Sequence, residues 1–150
     1  MQILTLAKRP ALAISALAAG AAMIAQGAAA CSLSASPLAF GELGLLAAPV
    51  DVTADVAVDC AAGVPFAVEI DGGQAGAGPS ERRLSSGAAQ IPYGLFRNVG
   101  RTSPWGTGVA AMSGTGTGAA QPLTVYGRVP TQTAPAPGAY SDAVIVTLVF

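Results

Sequence analysis

Val50-Asp51-Val52-Thr53-Ala54-Asp55-Val56-Ala57-Val58-Asp59-Cys60 reads as one long β-strand. Val50, Val52, Ala54, Val56, Val58 and Cys60 fall on one parity, and Asp51, Thr53, Asp55 and Asp59 on the other. A period of two sends the first set to one face of a sheet and the acids to water. A helix would scatter the same acids around its circumference. After Ala61-Ala62-Gly63 the alternation resumes, with Val64, Phe66, Val68 and Ile70 opposed by Glu69 and Asp71. The runs 50–60 and 64–71 are predicted to pair antiparallel, and Asp71-Gly72-Gly73 supplies the next turn.

Outward from this pair, residues 72–81 read as a loop, interrupted by Arg82-Arg83-Leu84. Ile91, Tyr93 and Leu95 alternate again, with Phe96 on the other face. Pro92 lies inside that run and has no N–H for a ladder, which predicts an edge strand or a strand beginning there. Residues 97–121 are loop-rich around Trp105-Gly106 and Gly114–Gly118, Leu123–Val129 is a strand, and 130–138 is a proline-rich connector. The last predicted strand runs from Tyr140 to Phe150. Val144, Val146, Leu148 and Phe150 form one apolar row, and Ala143, Ile145 and Val149 make the opposite face nearly as apolar. Such a strand is expected to be covered on both faces. Beyond Phe150 the chain has nothing of its own to pair with it. No segment after Cys31 carries helical periodicity, so short strands and Gly/Pro-rich turns predict an all-β sandwich.

At 150 residues the chain is one domain's worth, and its charged fraction of 10% is low. Residues 1–30 read as a secretory signal peptide, with Lys8 and Arg9 as the positive end, a charge-free Pro10–Ile24, and Ala28-Ala29-Ala30 as a small-residue cleavage site. The apolar core is shorter than the ~20 residues of a membrane span, which sets this reading against an uncleaved anchor. The remaining domain, residues 31–150, holds all eight acids against five arginines and no lysine. Without a basic cluster, nucleic acid is not an expected partner. Cys31 and Cys60 are the two cysteines. In an exported chain they most simply form a disulfide. The rival reading is a lipid-modified Cys31, but the large aliphatic residue usual three places before such a cysteine is missing.

Histidine is absent from the whole sequence. That removes Ser-His-Asp and Cys-His catalysis and the commonest transition-metal ligand. Asp51 and Asp59 lie on one strand face with Asp55 between them, successive carboxylates about 13 Å apart by strand rise, too wide for a catalytic pair or a shared metal. Arg82, Arg83 and Arg128 are expected to pair with Glu81, Asp142 or Asp71 at the sandwich ends. Trp105 is expected to plug the long loop, and Tyr93 and Tyr126 to be core or edge aromatics.

An ordered set of short pieces spans the domain. Cys31 is followed by Phe40-Gly41, Cys60, Arg82-Arg83-Leu84 and Ile91-Pro92-Tyr93-Gly94-Leu95-Phe96. Trp105-Gly106 with Gly108, Val125-Tyr126-Gly127-Arg128-Val129-Pro130 and Pro137-Gly138-Ala139-Tyr140-Ser141-Asp142 come next. The set resembles the spore coat protein U domain family, the Csu-type pilins of the archaic chaperone–usher pathway. The matching positions include Phe40, Gly41, Arg83, Tyr93, Trp105, Gly106, Tyr126, Gly127, Arg128, Gly138, Tyr140 and Asp142.

The resemblance implies an incomplete Ig-like β-sandwich lacking its final strand and completed by donor-strand complementation. It implies a structural subunit of a chaperone–usher pilus, a fimbrial protein of surface adhesion and biofilm formation, with no enzymatic role and no cofactor. The implied partners are a periplasmic chaperone, an outer-membrane usher and other pilus subunits. The implied route is export through the periplasm to a cell-surface pilus or the medium. Val144, Val146, Leu148 and Phe150 would line the acceptor groove, with the Phe150 carboxylate as a chaperone anchor.

Leu84, Phe96 and Thr107 depart mildly from the family pattern, which often has methionine, tyrosine and an acid there. The larger departure is at the start, because cleavage after Ala30 leaves no donor extension before Cys31. Cleavage after Ala16-Leu17-Ala18 would instead leave Ala19–Ala30 as a short one. Otherwise the subunit accepts a strand and gives none, or it is a secreted envelope or coat protein of the same fold that does not polymerise.

Overall fold

The computed structural model describes residues 3–9 and 31–150. Among the described residues, nine strands make two packed sheets. In chain order they are β1 (Ile3–Arg9), β2 (Cys31–Ala35), β3 (Val50–Cys60), β4 (Pro65–Ile70), β5 (Arg82–Ser86), β6 (Ala89–Phe96), β7 (Met112–Thr115), β8 (Ala120–Val129) and β9 (Ala143–Val149). One sheet has the order β2-β3-β8-β6-β5 and the other β1-β9-β4-β7. The only helical element among the described residues is a single 3-10 turn at Gly108–Ala110. The fold is an Ig-like β-sandwich, all-β as the turn-punctuated alternation predicts.

β3 follows its sequence pattern residue by residue, with Val56, Val58 and Cys60 buried and Asp51, Asp55 and Asp59 exposed. It lies between β2 and β8, its ten-pair ladder with β8 running from Val50 opposite Val129 to Asp59 opposite Ala120. Between the sheets, Val56, Val58, Val68, Ile70, Val129, Val144, Val146 and Leu148 form one core.

The predicted pairing of 50–60 with 64–71 is overturned. β4 pairs with β7 and β9 and belongs to the opposite sheet from β3. Alternation fixes which face of a strand is buried and leaves its hydrogen-bonded neighbour open. The connection through Ala61, Ala62 and Gly63 (φ +82°) lifts the chain across the sandwich. Val58, Cys60, Phe66 and Val68 then share the core between the sheets instead of pairing through backbone.

Within residues 31–150, three strands, β2, β5 and β7, escaped the sequence reading. β2 pairs with β3 and puts Cys31 opposite Cys60. β5 forms a hairpin with β6. β7 lies inside the stretch read as loop, and β8 begins three residues before Leu123. β6 is an inner strand of its sheet, against the edge position predicted from Pro92. Its ladder with β8 covers only Gly94–Phe96, so at Pro92 the strand has β5 alone beside it. The missing N–H is tolerated there because that flank of the strand is locally an edge.

Of the stretch read as a signal peptide, residues 3–9 are described, as strand β1. Residues 10–30, with the Ala28-Ala29-Ala30 site and the alternative extension Ala19–Ala30, lie outside the described residues. No helix among the described residues is long and apolar enough to cross a membrane.

Candidate functional site: the edge of the C-terminal strand

β9 is the C-terminal strand and borders β4 on one side. Its even-numbered residues face inward, with Val144, Val146 and Leu148 no more than 1% exposed. Phe150, just past the strand, packs partly buried against the same core. The four residues expected to line a groove therefore do lie in one row. The odd-numbered face differs from expectation. Ile145 is 40% exposed, and no described element covers it. Thr147 interrupts that face, leaving too little contiguous apolar surface to require a second layer.

The backbone of β9 divides in the same way. Asp71 donates its N–H to the Ile145 carbonyl at 3.1 Å, and the Asp71 carboxylate accepts from the Ile145 N–H at 2.8 Å. Odd-numbered residues of β9 therefore turn their backbone groups toward β4. In an antiparallel ladder the intervening residues point the other way. Val144, Val146 and Leu148 thus present their N–H and C=O groups to the far edge while their side chains fill the core.

That far edge is occupied. β1 pairs with β9 in parallel, from Ile3 opposite Ala143 to Arg9 opposite Val149. The sequence reading left β9 with no partner from its own chain, and here the chain's first residues take that place. β1 also approaches β2, the outermost strand of the other sheet. The site is thus the seam where the two sheets meet, with β9 and β2 on its two banks.

Most of the family positions act as fasteners of the fold. Tyr93 donates its hydroxyl to Asp142 at 2.7 Å, and Phe40 packs edge-on against the Tyr93 ring with centroids 5.9 Å apart. Asp142 also accepts from the N–H groups of Gln74 and Ala143, so it pins the loop before β5 to the start of β9. Gly127 lies beneath Leu38 and Phe40, where a Cβ would meet Leu38 at 3.0 Å. Gly41 adopts φ +73°, a left-handed conformation that glycine takes without steric cost. Trp105 is fully buried, and its indole N–H donates to the Val68 carbonyl at 2.8 Å, the plug expected of it. Gly106 accepts from the Ile70 N–H. Gly138 backs onto Ser86, and Tyr140 donates to the Ala136 carbonyl.

The arginines pair otherwise than expected. Arg128 forms a two-pronged contact with Asp51, both distances 2.7 Å, and Arg101 adds a third at 3.3 Å. Asp51 and Arg128 are register partners across β3 and β8, which the sequence could not show. The Arg128 hydrogen bonds hold the Asp51 carboxyl below its usual range, and Asp51 in turn raises Arg128. Arg101 also lies over the Tyr126 ring, 5.7 Å from its centroid. Arg83, the matching family position, is exposed and donates only to Gln90. Its neighbour Arg82 is fully buried and donates to the carbonyls of Ile70, Asp71, Pro79 and Trp105. Burial pulls its pKa down, while the Tyr93, Asp71 and Asp142 groups push it back up. No pairing with Glu81 forms.

The Cys31–Cys60 disulfide is present and joins β2 to β3. Among the described residues no group of three or more acids and cysteines is placed to hold a metal ion. A cavity of about 860 Å³ lies between residues 38–46 and 134–140, over Leu84 and Ile91. It shares no residue with the β9 edge.

The domain is thus an Ig-like sandwich whose C-terminal strand lies at a seam between the two sheets, beside the chain's first strand. The Spore Coat Protein U domain model matches residues 16–147, and the chain belongs to that family. No curated protein matches it. Among solved structures it is similar to one chain of the chaperone–tip adhesion subunit pre-assembly complex CsuC-CsuE, from the archaic chaperone-usher Csu pili of Acinetobacter baumannii. The TM-score is 0.60 at 24% identity, over 81% of this chain and 39% of that one. The chain thus spans about two fifths of the matched chain's length.

Proposed function

We propose that this protein is a structural subunit of a chaperone–usher pilus, exported through the periplasm and assembled by donor-strand exchange. The observation that carries the reading is the β9 edge. Either cleavage position considered for the leader removes residues 3–9, and with them the one strand beside β9 on that side. The inward row Val144, Val146 and Leu148 would then border an open seam, and their backbone groups would lack partners. An exposed edge beside apolar side chains invites another chain to add a strand. A periplasmic chaperone, an usher-bound subunit and a neighbouring subunit in the fibre are the partners with that chemistry. Family membership and the likeness to a subunit–chaperone complex support the reading, with surface adhesion and biofilm formation as its biological setting. Most of the family positions act as fasteners, which fits a structural and not a catalytic role.

A second reading concerns the donor. The family match begins at residue 16, ahead of Cys31. This favours cleavage after Ala18 and a mature chain that keeps Ala19–Ala30, able to give a strand as well as take one. The alternatives are a subunit that only accepts and a coat protein that does not polymerise. Mass spectrometry of the secreted N-terminus separates a start at Ala19 from one at Cys31.

The test of the main reading is co-expression with a periplasmic chaperone, followed by photo-cross-linking from position 145. The side chain there is exposed, so a probe leaves the core intact. Cross-links from position 145 to an inserted chaperone strand are the expected result. A secreted monomer that recruits no chaperone and gives no cross-link would refute the assignment.

A further inference from the structure

The cavity between residues 38–46 and 134–140 takes no part in the β9 edge. Its floor is Leu84 and Ile91 of the β5–β6 hairpin, both buried. Its walls are two segments outside any strand. Apolar walls free to move would close on each other to shed water. Here both are stapled. Leu38 and Phe40 sit on Gly127, and the Leu46 carbonyl accepts from the Gln132 N–H at 3.0 Å, which ties one wall to the root of the other. At the far end of the second wall, Ser85 and Ser141 exchange two backbone hydrogen bonds of 2.8 and 3.0 Å. About 860 Å³ therefore stays open, a volume within the ~300–1,000 Å³ usual for small-molecule sites.

The polar groups of the lining are few. The Tyr140 hydroxyl donates to the Ala136 carbonyl at 2.6 Å. Among the described lining residues Glu42 alone carries a charge, and it is exposed and forms no ion pair with a described residue. No arginine lines the cavity, so an anion entering it meets a carboxylate and no counter-charge. Leu45, another lining residue, is 87% exposed and carries the apolar surface out to the mouth.

We propose that this cavity is a binding site for a small cationic amphiphile, an apolar chain or ring system bearing one positively charged group. The apolar part lies over Leu84 and Ile91, and the positive group lies at Glu42. Removing the apolar part from water supplies the affinity, and the unpaired carboxylate sets the preferred sign of charge. The site goes beyond strand exchange and does not depend on it.

The experiment uses the full chain with its native disulfide intact. Leu45→Cys is labelled with an environment-sensitive fluorophore, and the new thiol is unique because Cys31 and Cys60 are joined. The probes are decyltrimethylammonium, decanoate and decanol, which share a chain length and differ in charge, each kept below micelle-forming concentrations. The cation is expected to saturate the signal at a concentration roughly fivefold or more below that of the carboxylate, with the alcohol between them. Glu42→Gln is expected to bring the three together. Glu81→Gln changes net charge equally at an exposed acid outside the lining, and is expected to keep the order.

Equal saturation by all three probes on the unsubstituted Glu42 background would overturn the proposal. So would a cation preference that survives Glu42→Gln, or a signal that climbs without saturating, which would mean adsorption only. A signal that follows protein concentration alone would assign the cavity to a second copy and also overturn it. These failures leave the strand-exchange reading untouched, since Val144, Val146 and Leu148 are not lining residues. A response confined to a peptide of residues 19–30 would instead merge the cavity with the strand-accepting edge, overturning the separate site while supporting strand exchange.

Discussion

Replacing Arg82 by methionine is the sharpest test of how the fold is fastened. The guanidinium is fully buried in β5 and satisfies four carbonyls, of which Ile70 and Trp105 are themselves buried. Methionine fills a similar volume, so little cavity is left. Losing the donors strands the two buried carbonyls at about 1–3 kcal/mol each. Removing a desolvated cation returns part of that. The expected net loss is about 2–4 kcal/mol, which at a urea slope of about 2 kcal/mol/M lowers the unfolding midpoint by roughly 1–2 M. Arg82→Lys keeps the charge but offers three donors on a flexible stem, and is expected to fall between wild type and methionine. Arg83→Met, one residue away and exposed, is expected to stay within about 0.5 kcal/mol. The assay is urea unfolding of the oxidised full chain followed by tryptophan fluorescence, with Trp105 as the single reporter. Equal midpoints for the Arg82 and Arg83 variants would refute the argument that the buried carbonyls depend on Arg82.

Four further outcomes follow from the same structure. Reducing the Cys31–Cys60 bridge, which closes a separation of 29 residues, is expected to cost about 3–4 kcal/mol in the chain-entropy model, read as the gap between oxidised and reduced urea curves. The folded-state carboxyl of Asp51 is depressed by Arg128, so its contribution is present above the unfolded aspartate pKa of about 4 and is lost as pH falls through the folded value. Asp51→Asn should therefore abolish a small, salt-sensitive part of the stability lost on acidification below about pH 4, of at most about 1 kcal/mol for so exposed a cluster. Val146→Asp puts a charge into a fully buried site and is expected to prevent folding, whereas Ile145→Asp on the exposed face of β9 should leave secretion and thermal midpoint nearly unchanged. Gly116→Ala would drive a Cβ to within 2.2 Å of the Ala61 carbonyl oxygen, and is expected to destabilise the turn between the sheets where Gly44→Ala, with open space, does not.

Much of this could be read from residues alone, for one reason. A period of two reports burial, and burial is what alternating valines record. That is why β3 and the inward row of β9 were legible. The same signal does not report neighbours, so β4 was assigned to the wrong sheet and the Asp51–Arg128 pair was missed. β7 is short and carries Gly114 in place of an apolar residue, leaving no alternation to detect. Arg82 could have been found. It shares parity with Leu84, and if Leu84 points inward then so must the residue two before it. The family pattern drew attention to Arg83, while the pleat assigns the buried guanidinium to Arg82. The occupant of the β9 edge was illegible because an apolar leader and a covering strand draw on the same residue types.

The position of the disulfide has a mechanical consequence. β2 is five residues long and lies outermost in its sheet, the kind of strand that peels away one hydrogen bond at a time when its leading end is pulled. Its leading residue is Cys31, bonded to Cys60 of the eleven-residue β3. Tension arriving through the preceding segment therefore bypasses β2 and enters the middle of the sheet, where β3 must shear against the ten-pair ladder of β8 all at once. In the proposed fibre, with strands threaded from one subunit into the next, that load path replaces the easy unzipping of β2 by the cooperative shearing of β3 from β8.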